Sequence, residues 1–280
     1  MQSRRGPTKT AHQETRISKR AQLRDENSSV KRPQIIESII ATLKPLDYVH
    51  AFWEGGAAAF GRIDGWSDID AYLLVDDSKV ADAFLAVEKA LESLSPIKQK
   101  YVVSQNWPGV TQAFYSLKRA SEYLIVDLGV LTQSSPEKFL EPEIHGKVIF
   151  YFNKIGMVEK PDQDQTAFDK KVEERQRVLK ERFRMFGNFV QKEIDRENSL
   201  EALEYYRTIV IASLVEALRI KYNPAHYDFK MRYIHYELPP RVVRKLENLC
   251  FVRGRKELQR KYLEAVQWFN KLARESNASS

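Results

Sequence analysis

One stretch constrains this chain more than any other. From Trp53 to Asp77 an apolar segment meets Gly55-Gly56, the small-residue run Ala57-Ala58-Ala59 and Gly61-Arg62; Ser67-Asp68-Ile69-Asp70 then opens the apolar run Ala71 to Val75. The pattern predicts strand, glycine turn, short helix, loop and second strand. Successive side chains of a strand point to opposite faces, so Asp68 and Asp70 share one face while Ile69 turns into a core. Two carboxylates aimed at one point repel, and each raises the other's pKa unless positive charge lies between them. A divalent cation meets that need, and Mg²⁺ is typically held by one or two carboxylates together with substrate phosphates and water. Upstream, Gly55 and Gly56 let backbone N–H groups approach a phosphate closely, and a helix starting near Ala57 would direct its positive end at the same anion. Taken singly, each piece also has a plainer reading, as a solvated strand end or an ordinary turn.

Order and spacing add what the pieces lack. Gly-Gly, then Gly-Arg-x-Asp (Gly61 to Asp64), then Ser-Asp-x-Asp at the head of an apolar strand resembles the signature of the nucleotidyltransferase superfamily that includes polymerase beta. Within it the likeness is to small enzymes related to aminoglycoside adenylyltransferases. One register places Gly56 in the glycine slot and Ala57 where that family often has a phosphate-binding Ser; the other uses Gly55-Gly56 and puts Glu54 at a position that is normally apolar. Backbone cradling of a phosphate is possible in both.

Further along, Glu122 to Val130 is apolar in its central run except for Asp127. A charge inside a buried strand is costly unless it is paired or bound to a metal. An ion pair with an arginine such as Arg62 is one explanation. The resemblance implies another, a third carboxylate on a neighbouring strand that joins the pair: Asp68 and Asp70 hold one Mg²⁺, and Asp127 is a ligand shared with a second or a general base. It also implies Gly55, Gly56 and Ser67 as phosphate contacts, Arg62 as a weaker one, and a basic residue from a second domain closing on the triphosphate, for which Lys230 is the candidate.

The rest of the chain frames this site. With 280 residues the chain can bury a sizeable core in one or two domains. Helical spacing of Ile35, Ile36, Ile39, Ile40 and Leu43 follows Pro33, and a strand is expected from Asp47 to Trp53. An amphipathic helix is expected over Val80–Leu94 with Phe84, Leu85, Val87 and Leu91 inward. Later strands, expected at Gln99–Ser104, Thr111–Lys118 and Glu122–Leu131, should add antiparallel, and Val148–Phe152 is a further strand-like run. His145 lacks a second histidine at ligand spacing and reads as a surface or packing residue. Lys160-Pro161-Asp162 marks a boundary, after which helical periodicity is uninterrupted: one long helix over Phe168–Asp195, a central apolar helix from Ser199 to about Tyr222, then Pro240–Leu249 and Gly254–Ala273. On the central helix Arg207 suits a buried salt bridge or a ligand contact. Tyr227 to Tyr236 interleaves aromatic and basic residues, which suits loop packing, stacking on a base, or single-stranded nucleic acid.

The expected organisation is therefore a basic disordered tail (1–33), a mixed α/β catalytic domain (34–160) and an all-helical domain (161–280): an α+β fold followed by a helical bundle. The tail holds nine basic against three acidic residues and so carries +6 of the net +7, leaving a nearly neutral body. Only weak tail contacts with nucleic acid are expected, and the tail should be dispensable for stability and nucleotide affinity. A single cysteine, Cys250, excludes an intramolecular disulfide and a cysteine-rich zinc site; it sits in an apolar run and reads as core. No stretch approaches a membrane span or a signal-peptide core, so a cytoplasmic setting is expected. The expected activity is Mg²⁺-dependent transfer of AMP from ATP to a hydroxyl of a small acceptor with release of pyrophosphate. Protein or RNA nucleotidyl transfer, and a nucleotide-binding module without turnover, are the alternatives.

Overall fold

A computed structural model describes residues 30–103, 107–156, 158 and 164–275. The chain forms two compact units, the first ending at Asp162 and the second beginning at Gln163.

The first unit is built on a six-stranded mixed sheet in the order β3-β4-β5-β2-β1-β6. Its elements run α1 (Arg32–Leu43), β1 (Val49–Glu54), α2 (Gly56–Ala59), β2 (Ile69–Val75), α3 (Val80–Leu94), β3 (Ile97–Val102), β4 (Val110–Leu117), β5 (Val126–Thr132), α4 (Pro142–His145) and β6 (Ile149–Asn153). Alternation decides what each face does. Ile69, Ala71, Leu73 and Val75 of β2, with Val126, Leu128 and Val130 of β5, form one core with Ile35, Ile39 and Leu43 of α1 and Val87 and Leu91 of α3. The intervening residues look the other way, where Trp53, Leu74, Leu131, Leu140 and Val148 make a smaller core that also gathers Tyr72, Phe139 and Phe150.

Expectation and structure differ at several places in this unit. β5 runs parallel to β2, with antiparallel pairing to β4 on its other side, so not all later strands add antiparallel. Leu85 is exposed, because the inward stripe of α3 is Ala83, Val87, Ala90 and Leu91. Residues 30–33, assigned above to the tail, are part of the folded unit: Val30 is buried, bridges Ala120 and donates its N–H to the Arg119 carbonyl at 2.8 Å, and α1 begins at Arg32. Most of the expected tail, residues 1–29, lies outside the described residues. Loss of Val30 removes a buried side chain, a term of roughly 1.5–3 kcal/mol, and loss of Arg32 strands a buried carboxylate. A chain beginning at residue 34 should therefore melt measurably below one beginning at residue 30, as differential scanning calorimetry would show; equal midpoints would restore the boundary at Pro33.

The second unit is helical: α5 (Gln165–Phe186), α6 (Phe189–Asp195), α7 (Ser199–Tyr205), a π-helical segment Tyr206–Ile211, α8 (Ala212–Tyr222), α9 (Ile234–Glu237), α10 (Pro240–Cys250) and α11 (Arg255–Glu275). The expected single helix over Phe168–Asp195 breaks at Gly187-Asn188, where glycine lowers helix propensity. The rod from Ser199 to Tyr222 is continuous through the π segment and supplies Tyr206, Val210, Leu214 and Leu218 to the bundle core. Cys250 is exposed and does not hold the core place expected of it; Leu249 takes the inward position instead. Arg207 is exposed as well, which removes the buried salt bridge from its two readings. Among the described residues no helix is long and apolar enough to cross a membrane.

Candidate active site at the heads of two parallel strands

The site is set by register. β2 and β5 run side by side with Asp70 opposite Asp127, so the two carboxylate-bearing residues sit on neighbouring strands, about 4.8 Å apart in backbone spacing. Asp68 lies two residues earlier, just ahead of the strand. All three are partly exposed, whereas Ile69 and Val126 between and before them are fully buried. That is how the sequence keeps carboxylates at a sheet surface while anchoring the strands beneath.

Gly56 shapes the wall facing Asp70. It has φ +52°, and a Cβ built on it would lie 1.6 Å from Asp70 Oδ2. The carboxylate thus rests against bare backbone that no other residue could supply. Gly55 donates its N–H to the Asp70 carbonyl at 3.0 Å, which ties the glycine turn to the strand carrying the aspartates. Tyr72, next on the same face, lies against Gly55 and Gly129, where an added Cβ would approach its ring to 3.0 Å, and it stacks on Trp53 at 5.7 Å. The expected helix after the glycines is a single turn, Gly56–Ala59, too short for a helix dipole of consequence. Any anion contact here must come from individual backbone N–H groups.

The other expected contacts are placed differently. Ser67 Oγ donates to Asp64 Oδ1 at 2.9 Å and accepts from the Asp64 N–H at 2.9 Å, closing the Asp64–Ser67 turn. Its hydroxyl holds the approach to Asp68. Arg62 lays its guanidinium over the Phe60 ring, 4.9 Å from the centroid. Lys230 belongs to the second unit, where it is exposed and has φ +53°. There the fully buried Arg219 donates to the Lys230 carbonyl at 2.7 Å and to the Arg232 carbonyl, and pairs with Glu237 at 2.6 Å. His226 stacks on Phe229 at 4.0 Å, and Arg232 covers the Phe229 ring at 4.8 Å. Much of the aromatic character of that stretch is thus used in packing, while Lys230, Met231 and Arg232 face solvent.

Three residues of this neighbourhood carried no assigned role in the sequence. Gln112 on β4 donates from Nε2 to Asp127 Oδ1 at 2.6 Å and fixes that carboxylate's orientation. Glu54, the last residue of β1, is 1% exposed. It pairs with Arg32 and accepts a hydrogen bond from Tyr151 Oη. Arg32 also donates to the Asp68 carbonyl. Desolvation lowers the Arg32 pKa, opposed by Tyr151, Asp70 and Asp68, the last two being the aspartates beside it. Removing one partner from a buried pair of this kind costs roughly 3–5 kcal/mol, because the other charge is left uncompensated. Only Glu54 gave a signal in the sequence, as a charge in a slot that the resemblance marks as apolar.

No family model matches the chain, and no curated protein does. Among solved structures it is similar to an aminoglycoside 6-adenyltransferase from Bacillus subtilis (13% identity, 88% of this chain and 90% of that one, TM-score 0.32). It is also similar to the spectinomycin adenyltransferase AAD(9) from Enterococcus faecialis with ATP and spectinomycin (11% identity, 87% and 98%, TM-score 0.33). A third is the STING-associated CdnE c-di-GMP synthase from Capnocytophaga granulosa (14% identity, 89% and 84%, TM-score 0.29). At these scores the likenesses assign nothing to individual residues or substrates.

Two sets of side chains could hold a metal. The donors at the sheet, Asp68, Asp70 and Asp127, are all hard carboxylate oxygens at a partly exposed strand end, which suits Mg²⁺ completed by phosphate and water. Glu137, Glu141 and His145 offer three ligand atoms within 4.8 Å of one another, and among the described residues they are the group that does so; the three aspartates are not drawn that close. His145 Nε2 lies 3.5 Å from Glu141 Oε2 and its ring packs on Phe139, so its packing role accounts for its position.

Proposed function

We propose that the chain is a nucleotidyltransferase that moves AMP from ATP to a hydroxyl of a small acceptor and releases pyrophosphate. The observation that carries this reading is the juxtaposition of Asp70 and Asp127 on parallel strands, with Asp68 beside them and the bare backbone of Gly56 against Asp70. Asp68 and Asp70 would hold Mg²⁺ with the triphosphate, and Asp127 would share a second ion. Such ions supply charge stabilisation and alignment for in-line displacement at phosphorus.

The chain's own residues do the rest. The backbone at Gly55 and Gly56 would border the phosphates, and Gln112 orients Asp127 through Oδ1. The acceptor oxygen forms a bond to the α-phosphorus as the bond from that phosphorus to the α–β bridging oxygen breaks. The hydroxyl proton passes to the Asp127 carboxylate, and the electron pair leaves with pyrophosphate.

A small acceptor fits the charge distribution. Residues 1–29 hold seven basic against three acidic residues and so carry +4 of the net +7, which leaves the chain from residue 30 on with only +3, little excess charge to track a phosphate backbone. Incubation with Mg²⁺, an acceptor panel and ATP labelled at either the α- or the γ-phosphate tests the reaction. The α-label should move to an acceptor and the γ-label should appear only in pyrophosphate. γ-Label on the acceptor, or tight salt-dependent RNA binding by a chain lacking residues 1–29, would contradict it.

A further inference from the structure

We propose that Arg32 is a positioning residue: its two-headed guanidinium bolts the end of β1 to the approach of β2 and so fixes the aspartate pair for a divalent cation. This rests on the reading of that pair as a metal–nucleotide site. One nitrogen of Arg32 pairs with Glu54, the residue immediately before Gly55-Gly56, and another donates to the carbonyl of Asp68. A single side chain thus ties the phosphate-facing turn to the carboxylates it must face.

The fork is itself held on both sides. Tyr151 Oη donates to the second oxygen of Glu54, which keeps that buried carboxylate paired at both oxygens. On the chain side, Val30 is locked to Ala120, and the Lys31 N–H donates to Gln34 Oε1 at 2.8 Å at the start of α1. Arg32 is 15% exposed and has little room to swing away. Arginine is suited to this task because its planar donors are preorganised for two acceptors at once, whereas lysine offers a point charge.

A salt bridge that only stabilises the fold would look similar, and charge arithmetic separates the two roles. Arg32→Met with Glu54→Gln removes one positive and one negative charge. The local net charge is unchanged, no buried charge is left unpaired, and the bond to Asp68 is lost. Arg32→Lys keeps the charge and its pairing with Glu54 but replaces the preorganised two-nitrogen fork with a single nitrogen. Mn²⁺ binding should be titrated by electron paramagnetic resonance with a non-hydrolysable ATP analogue, alongside thermal melting. We expect the double variant to melt near wild type and to bind Mn²⁺ about tenfold more weakly, the scale of one lost charge-assisted hydrogen bond. The lysine variant should weaken in the same direction, which decides the matter if the double variant folds poorly. Binding within twofold of wild type in the folded variants overturns the role of Arg32 alone, provided Asp70→Asn abolishes binding. If wild type and Asp70→Asn behave alike, the metal–nucleotide reading fails and this inference with it.

Discussion

Asn in place of Asp68 or Asp70 should reduce nucleotidyl transfer by roughly 10²–10³-fold or more, the scale of removing a main electrostatic element from a reaction centre, without lowering the melting midpoint. The two effects part because Asp68 and Asp70 are partly exposed at the head of the strand, ahead of the residues that pack on either face. Ile69, Ala71 and Leu73 remain in the core with either substitution. Single-turnover assays with α-labelled ATP, paired with calorimetry, would read both quantities on one preparation. Near-normal transfer by both variants would remove these residues from the chemistry, and a collapse in stability would make them structural.

Gly56→Ala should be nearly as damaging, and Gly61→Ala supplies its control. Both glycines have positive φ, +52° and +64°, so each substitution carries backbone strain of about 1–2 kcal/mol. At Gly61 nothing lies within 4 Å of the new methyl group, and the strain is the whole effect. At Gly56 the methyl would fall 1.6 Å from Asp70 Oδ2, so the turn and the carboxylate cannot both stay where they are. The Gly56 variant should lose metal-dependent nucleotide binding by tenfold or more, while the Gly61 variant loses stability and keeps its affinity. Equal affinities in the two would mean that Asp70 moves aside at little cost and that its contact with the turn is unimportant.

Much of this architecture was legible because one local rule governed it. Alternation in Asp68-Ile69-Asp70 separates a charged face from a packed one whatever the strand's neighbours, and β2 extends from Ile69 to Val75 as the pattern requires. The opposition of Asp127 and Asp70 is a matter of register between strands more than fifty residues apart, which only the assembled sheet fixes. Arg32 escaped for a related reason. It stands among the basic residues of the tail, and its distinction is a partner buried on another element. The break at Gly187 was hidden by apolar residues that keep helical spacing on both sides of it. Ser67 shows what a motif leaves unsaid, since its place there suggests a phosphate contact while only the structure shows its hydroxyl completing a local turn with Asp64.

The most direct test of the site is where a metal goes. Crystals grown with Mn²⁺ and a non-hydrolysable ATP analogue, measured at the manganese edge, should show anomalous density bounded by Asp68 and Asp70, with Asp127 at its side and the triphosphate completing the coordination. Manganese confined to Glu137, Glu141 and His145, with nucleotide absent from the sheet end, would contradict it.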